Sequence, residues 1–181
     1  MAGARTRLHV VPNWLSLFRF LSSPLVAVLI VIDAYGLRVP ISVLFAVASL
    51  TDYLDGYLAR RWNVVSQFGV FLDLAADKLL VATVLTMLVG LGMVPSWMAA
   101  IIIGRELIVS SLRSHAAAKG TVIAASPLGK WKTTITLVAL VFTLLQIDHT
   151  VSLWLLAAAT LLTLASGIDY LARYWQAAWH G

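Results

Sequence analysis

Apolar residues recur along this chain in long blocks, each interrupted where turn-forming or charged residues collect. The blocks fall at about Leu15–Tyr35, Ile41–Arg60, Gln67–Gly90, Trp97–Ala117, Leu128–Ile147 and Val151–Tyr170. Each is close to the roughly 20 residues a helix needs to cross a bilayer. The breaks lie at Gly36 to Pro40, Arg61 to Ser66, Gly90 to Ser96, Lys119 to Pro127 and Asp148 to Thr150, where glycine, proline or charge ends an apolar run. This pattern predicts an all-α integral membrane bundle of six transmembrane helices. Asn13 or Ser16 is placed to cap the first of them. Trp14, Trp62, Trp97, Trp131, Trp154, Trp175 and Trp179 all fall near predicted helix ends, as an interfacial aromatic belt requires.

Composition strengthens this picture. Hydrophobic residues make up 61% of the chain and the mean hydropathy is +0.92, far outside the range of soluble domains. The 181 residues allow one domain, 1–181, with residues 1–13 as a cytoplasmic N-terminal segment. Arg5 and Arg7 ahead of an apolar run also fit a signal peptide, but no small-residue cleavage site follows and further spans continue. The chain has no cysteine, which excludes a disulfide framework, a cysteine-ligated metal and a thiol nucleophile.

The formal charge of +5 would suggest nucleic acid in a soluble domain; here it marks a membrane face, and no nucleic-acid partner is expected. With both termini cytoplasmic, only Arg38 of the 13 Lys and Arg residues lies outside, as the positive-inside rule favours. Charge also intrudes into the spans. Thirteen uncharged residues (39–51) separate Arg38 from Asp52, and thirteen (20–32) separate Arg19 from Asp33. Thirteen helical residues cover about 20 Å, short of the roughly 30 Å hydrocarbon thickness. Arg19, Asp52, Lys78, Arg105 and Glu106 should therefore sit inside the bundle. Ionisable groups at that depth line a wet cavity or pair with one another. A polar cavity in the cytoplasmic half of the membrane follows, open to water and to lipid.

The chemistry concentrates between Asp52 and Asp77. This stretch reads Asp52-x-x-Asp55-Gly56-x-x-Ala59-Arg60, then eight residues, then Gly69-x-x-x-Asp73-x-x-x-Asp77, and it holds four of the eight acidic residues. On helices, Asp52, Asp55, Gly56 and Ala59 share one face, and Gly69, Asp73 and Asp77 share another. Four converging carboxylates repel, and a divalent cation relieves them. Their hard oxygens suit Mg2+ or Mn2+ rather than zinc.

These eight specified positions resemble the signature of the CDP-alcohol phosphotransferases. The likeness extends to Pro12-Asn13-Trp14-Leu15-Ser16-Leu17-Phe18-Arg19, to Gly104-Arg105-Glu106-Leu107-Ile108 with Arg113, and to Gly129-Lys130-Trp131-Lys132-Thr133-Thr134. Those segments are similar to the subfamily whose product is phosphatidylglycerophosphate. One departure is Leu74, where that subfamily usually has proline; the aspartate spacing is intact. The resemblance implies transfer of a phosphatidyl group from CDP-diacylglycerol to sn-glycerol 3-phosphate, releasing CMP. It implies Asp52, Asp55, Asp73 and Asp77 as metal ligands, with Asp77 also the general base. It places Asn13, Ser16, Gly56, Ala59, Arg60, Ser66 and Gly69 around CDP-diacylglycerol. Arg105, Arg113 and Lys130 match the positions expected to hold the acceptor's phosphate, and Lys132 is a weaker candidate. It further implies a homodimer among membrane lipids of the plasma membrane, with the active site facing the cytoplasm.

Other readings attach to some of these residues. Glu106 adjoins Arg105 and cannot share its face, so it is expected to pair with a cation from another helix. Lys78 is also read as a counter-charge to Asp77, and His115 as an interfacial residue. Arg113 and Lys130 also suit topology alone. An acceptor such as inositol phosphate or a phospholipid would use the same transfer chemistry. A divalent-cation transporter would need acids distributed across the span, whereas all but Asp33 and Asp148 project toward the cytoplasmic half.

Overall fold

The structure is a computed structural model that describes the backbone of residues 10–32, 36–62, 67–119 and 126–179, and the side chains over 17–32, 36–51, 75–119 and 126–176. The described residues form six α-helices and no strand: α1 Val10–Val31, α2 Arg38–Trp62, α3 Gln67–Gly90, α4 Ser96–Ala118, α5 Pro127–Leu145 and α6 His149–Trp179. They fall into two compact units, Met1–Gly90 and Leu91–Gly181.

The helix ends follow local chemistry. Gly36 and Gly92 take positive φ values of 74° and 70°, which glycine adopts without steric cost. Ser126 caps α5, its hydroxyl accepting from the Gly129 N–H at 3.3 Å, with Pro127 in the first turn. Asp148 caps α6 by accepting from the Val151 N–H at 2.9 Å. Boundaries differ most from the sequence expectation at α1 and α6, while α2 runs Arg38–Trp62 where Ile41–Arg60 was expected. α1 begins at Val10, so Asn13 and Ser16 lie within the helix and neither is its cap. Pro12 falls in the first turn, where no intrahelical donor is lost. α6 continues to Trp179, beyond the apolar block that ends at Tyr170. Its last turns are held by an Arg173–Asp169 pair, Nε to Oδ1 at 3.1 Å and four residues apart. The hydropathy pattern loses the helix where polar residues enter, although helical bonding continues.

In the first unit, α1 packs on α2 and α3. Ile41, Phe45 and Ala48 of α2, and Leu80, Val84 and Leu88 of α3, recur at helical spacing and are buried. Ser23 and Thr83 join α1 to α3 by a hydroxyl hydrogen bond of 2.9 Å. Arg19, one turn before Ser23, is completely buried, as the short uncharged run between it and Asp33 predicted.

In the second unit, α6 packs against both α4 and α5. Its buried stripe is Ser152, Leu156, Ala159, Thr163, Ser166 and Tyr170, while Trp154, Leu161 and Ile168 face outward at 74%, 68% and 67% exposure. Small and hydroxylated residues thus point inward and large apolar ones outward. The buried threonine hydroxyls are satisfied by their own helices: Thr136 donates to the Lys132 carbonyl, Thr143 to Ala139, Thr160 to Leu156 and Thr163 to Ala159, all at 2.7–2.8 Å. Two helical stretches, Pro127–Leu145 and His149–Gln176, are long and apolar enough to cross a membrane, and Leu17–Val31 and Arg38–Thr51 are shorter apolar stretches.

Candidate functional site

The aspartate signature lies on α2 and α3. Backbone is helical at Asp52 and Asp55 and again at Asp73 and Asp77, so each pair spans about one turn of its own helix. Only residues 63–66 separate the two helices. Asp77 and Lys78 are half-buried and both take part in polar interactions. Gly56, Ala59 and Arg60 on α2, Gly69 on α3, and Asn13 and Ser16 on α1 share this helical backbone, while their side chains, with those of Asp52, Asp55 and Asp73, lie outside the described ones. Ser66 lies outside the described residues altogether. Among the described residues no group of three or more acids or histidines is placed to hold a metal.

The second unit contains a basic cluster. Glu106 of α4 forms an ion pair with Lys132 of α5, and its Oε1 also takes the Arg105 Nη1 at 3.3 Å. Glu106 therefore does pair with a cation from another helix, as expected. It also reaches its neighbour Arg105, although the two leave the helix on different faces: long side chains curl toward a common acceptor even when their Cβ atoms diverge. All three are substantially removed from solvent, with 15%, 22% and 5% exposure for the Arg105, Glu106 and Lys132 side chains. Taking Lys132 into this pair leaves it poorly suited to binding a substrate phosphate. Two turns along α4, the Arg113 guanidinium carbon lies 5.8 Å from the centre of the Tyr170 ring, within the range of a cation–π contact. Lys130 is exposed on the first turn of α5. His115 is exposed in the last turn of α4, where a cation complements the helix dipole.

Sequence reasoning missed Gly167 and Tyr170 of α6. A Cβ at Gly167 would stand 3.2 Å from Arg105 Cγ, so the arginine lies directly against the helix there. The Ser166-Gly167 interruption of an apolar run was the available signal, but Tyr170 read simply as the end of a span.

Among the described residues the protein is all helical, with aspartate pairs on consecutive helices of the first unit and a largely buried cluster of arginine, lysine and glutamate in the second. A family model described as CDP-alcohol phosphatidyltransferase matches residues 9–165, across both units, and the chain belongs to that family. It is similar to the CDP-diacylglycerol–glycerol-3-phosphate 3-phosphatidyltransferase of Bacillus subtilis, with 41% identity over 145 residues covering 75% of this chain and 74% of the relative. It is 38% identical over 174 residues to the enzyme of that name from Yersinia enterocolitica, covering 92% and 95% of the two chains. An Arabidopsis thaliana enzyme, CDP-diacylglycerol–glycerol-3-phosphate 3-phosphatidyltransferase 2, is 33% identical over 192 residues, covering 94% and 82%.

Proposed function

We propose that this chain transfers the phosphatidyl group of CDP-diacylglycerol to sn-glycerol 3-phosphate, giving phosphatidylglycerophosphate and CMP. The observation that carries this reading is the Asp52-to-Asp77 signature, helical at all four aspartates and inside the region matched to the family. Relatives named for this reaction support the choice of acceptor.

In the proposed reaction the acceptor's hydroxyl oxygen attacks the phosphorus that bears diacylglycerol. A new P–O bond forms as the bond to CMP breaks. Asp77 accepts the hydroxyl proton as a positioned carboxylate base. Asp52, Asp55, Asp73 and Asp77 form an oxygen-only donor set in two one-turn pairs, which fits Mg2+ or Mn2+. Such an ion, when bound, offsets charge on the diphosphate and on departing CMP. Asn13, Ser16, Arg60 and Ser66 are the polar groups for the nucleotide and diphosphate, and Gly56, Ala59 and Gly69 leave space for them. Arg105 and Arg113 bind the acceptor's phosphate as forked donors and Lys130 as a point charge.

Residues 1–181 act in this proposal as one multi-pass membrane domain, with cytoplasmic termini and a homodimeric assembly in the plasma membrane. Outward-facing Trp154, Leu161 and Ile168 around inward hydroxyls support a lipid-facing exterior. Single cysteines report the topology against a background free of native thiols. Lys119 and Gln176 are exposed and, as cysteines, should react with an impermeant thiol reagent from the cytoplasmic side only. Leu91 and Thr150, also exposed, should react only from outside. Ser126 is a poor probe because it is buried and caps α5. Outside labelling at residue 119 would overturn the orientation.

The activity itself is tested by metal-dependent CMP release from CDP-diacylglycerol by purified protein, with glycerol 3-phosphate, glycerol, inositol, inositol phosphate and serine as acceptors. Glycerol 3-phosphate should be the best acceptor. Arg113→Ala should lower kcat/KM for it by roughly ten- to a hundredfold, through KM, as expected for a charge-assisted contact to phosphate. Lys130→Ala should fall at the lower end of that range, because lysine meets phosphate as a point charge and not as a two-pronged fork. Unchanged kinetics in both variants would reduce these cations to topology signals. Preference for inositol phosphate would keep the transfer chemistry and reject the acceptor.

A further inference from the structure

Gly167 and Tyr170 of α6 have no part in the mechanism above, yet both touch its cations. Three residues apart, they lie on one face of the helix. The contact at Gly167 allows Arg105 to lie flat on α6, with Cγ 3.2 Å and Nε 3.9 Å from where a Cβ would be. Glu106 holds the same guanidinium by Nη1, which leaves its Nε edge as a separate donor. Tyr170 is only 3% exposed and carries Arg113 over its ring. The Tyr170 hydroxyl and Arg105 Nε are both buried, and neither has a hydrogen-bond partner among the described residues. Two buried, unbonded donors beside two guanidinium groups call for an acceptor, since leaving them unmade is costly. The surrounding positive charge makes that acceptor anionic, and tetrahedral phosphate oxygens can serve several donors at once.

We propose that Gly167 and Tyr170 form a seat on α6 that aims Arg105 and Arg113 at the acceptor's phosphate, with the Tyr170 hydroxyl and Arg105 Nε–H donating to its oxygens. This deepens the reading of glycerol 3-phosphate as acceptor and rests on it. Gly167 is a positioning residue: it acts through Arg105. Tyr170 positions Arg113 through its ring and binds through its hydroxyl.

Steady-state kinetics on full-length Tyr170→Phe, Gly167→Ala and Gly167→Leu test the seat, with inorganic phosphate as a competing probe. Tyr170→Phe keeps ring and volume but removes the donor. It should raise the KM for glycerol 3-phosphate and the inhibition constant of phosphate roughly tenfold, leaving kcat and the KM for CDP-diacylglycerol within about twofold. Gly167→Ala should act in the same sense but more weakly, because Arg105 Cγ need shift only slightly; Gly167→Leu should exceed both. If Gly167→Leu does not fold, the other two variants decide. Equal losses for both substrates, a loss in kcat alone, or an unchanged phosphate inhibition constant would refute the seat. A native enzyme that prefers glycerol 3-phosphate, with unaltered variants, refutes only the seat. A native enzyme that uses glycerol equally well refutes the acceptor reading and the seat with it.

Discussion

Asp77→Asn is expected to leave a folded, membrane-inserted protein that still binds CDP-diacylglycerol but turns it over at least a hundredfold more slowly. The amide matches the carboxylate in shape and keeps one oxygen, so packing on α3 beside buried Ala76 and Leu80 is undisturbed. It cannot accept the acceptor's proton, and a positioned general base contributes on the order of a hundred- to ten-thousandfold in rate. The decisive measurement separates kcat from binding: single-turnover CMP release together with CDP-diacylglycerol affinity at fixed Mg2+. Near-native turnover removes Asp77 from the role of base. Lost nucleotide binding with weakened metal dependence assigns it to the metal instead.

The second large effect is on stability. Glu106→Ala should lower the midpoint of thermal unfolding in detergent more than an ordinary surface change, because it removes the carboxylate that pairs with the Lys132 ammonium, whose side chain is 5% exposed. Removing one member of a buried ion pair costs about 3–5 kcal/mol. The 22% exposure of Glu106 admits some solvent screening, placing the loss toward the lower figure. Arg105 loses its Nη1 acceptor in the same step, so the KM for glycerol 3-phosphate should rise as well. The double variant Glu106→Gln with Lys132→Met should recover part of the thermal loss, since the Lys132 charge is removed together with its partner while Arg105 keeps only a neutral acceptor. It should not restore the acceptor KM, because a neutral amide holds Arg105 less firmly. An unfolding midpoint unchanged in Glu106→Ala would mean that water or its other interactions hold the Lys132 charge without Glu106.

The positions of the helices were legible from hydropathy alone. α3 matches its apolar block at both ends, and α4 and α5 differ from theirs by one or two residues. Apolar side chains dominate each helix, so a change in composition coincides with a change in backbone. α1 and α6 escaped in part because their ends carry polar residues whose helical bonding is unaffected by hydropathy. The aspartate signature was equally visible, since its content is spacing and helical spacing is local.

What the linear chain could not convey was the partnership of charges. Arg105, Glu106 and Lys132 read separately as phosphate ligand, structural acid and weaker ligand. Whether a cation is available for substrate depends on which acid reaches it, and Glu106 meets Lys132 across 26 residues of sequence. Gly167 and Tyr170 were invisible for the same reason: a missing Cβ and a buried hydroxyl acquire meaning only from the side chains placed against them. Sequence determined the helices, the family and the acidic signature, because each rests on periodicity or spacing along one helix. Tertiary packing decided which cations pair within the fold and which buried donors lack a partner among the described residues, because burial and pairing depend on neighbours distant in sequence.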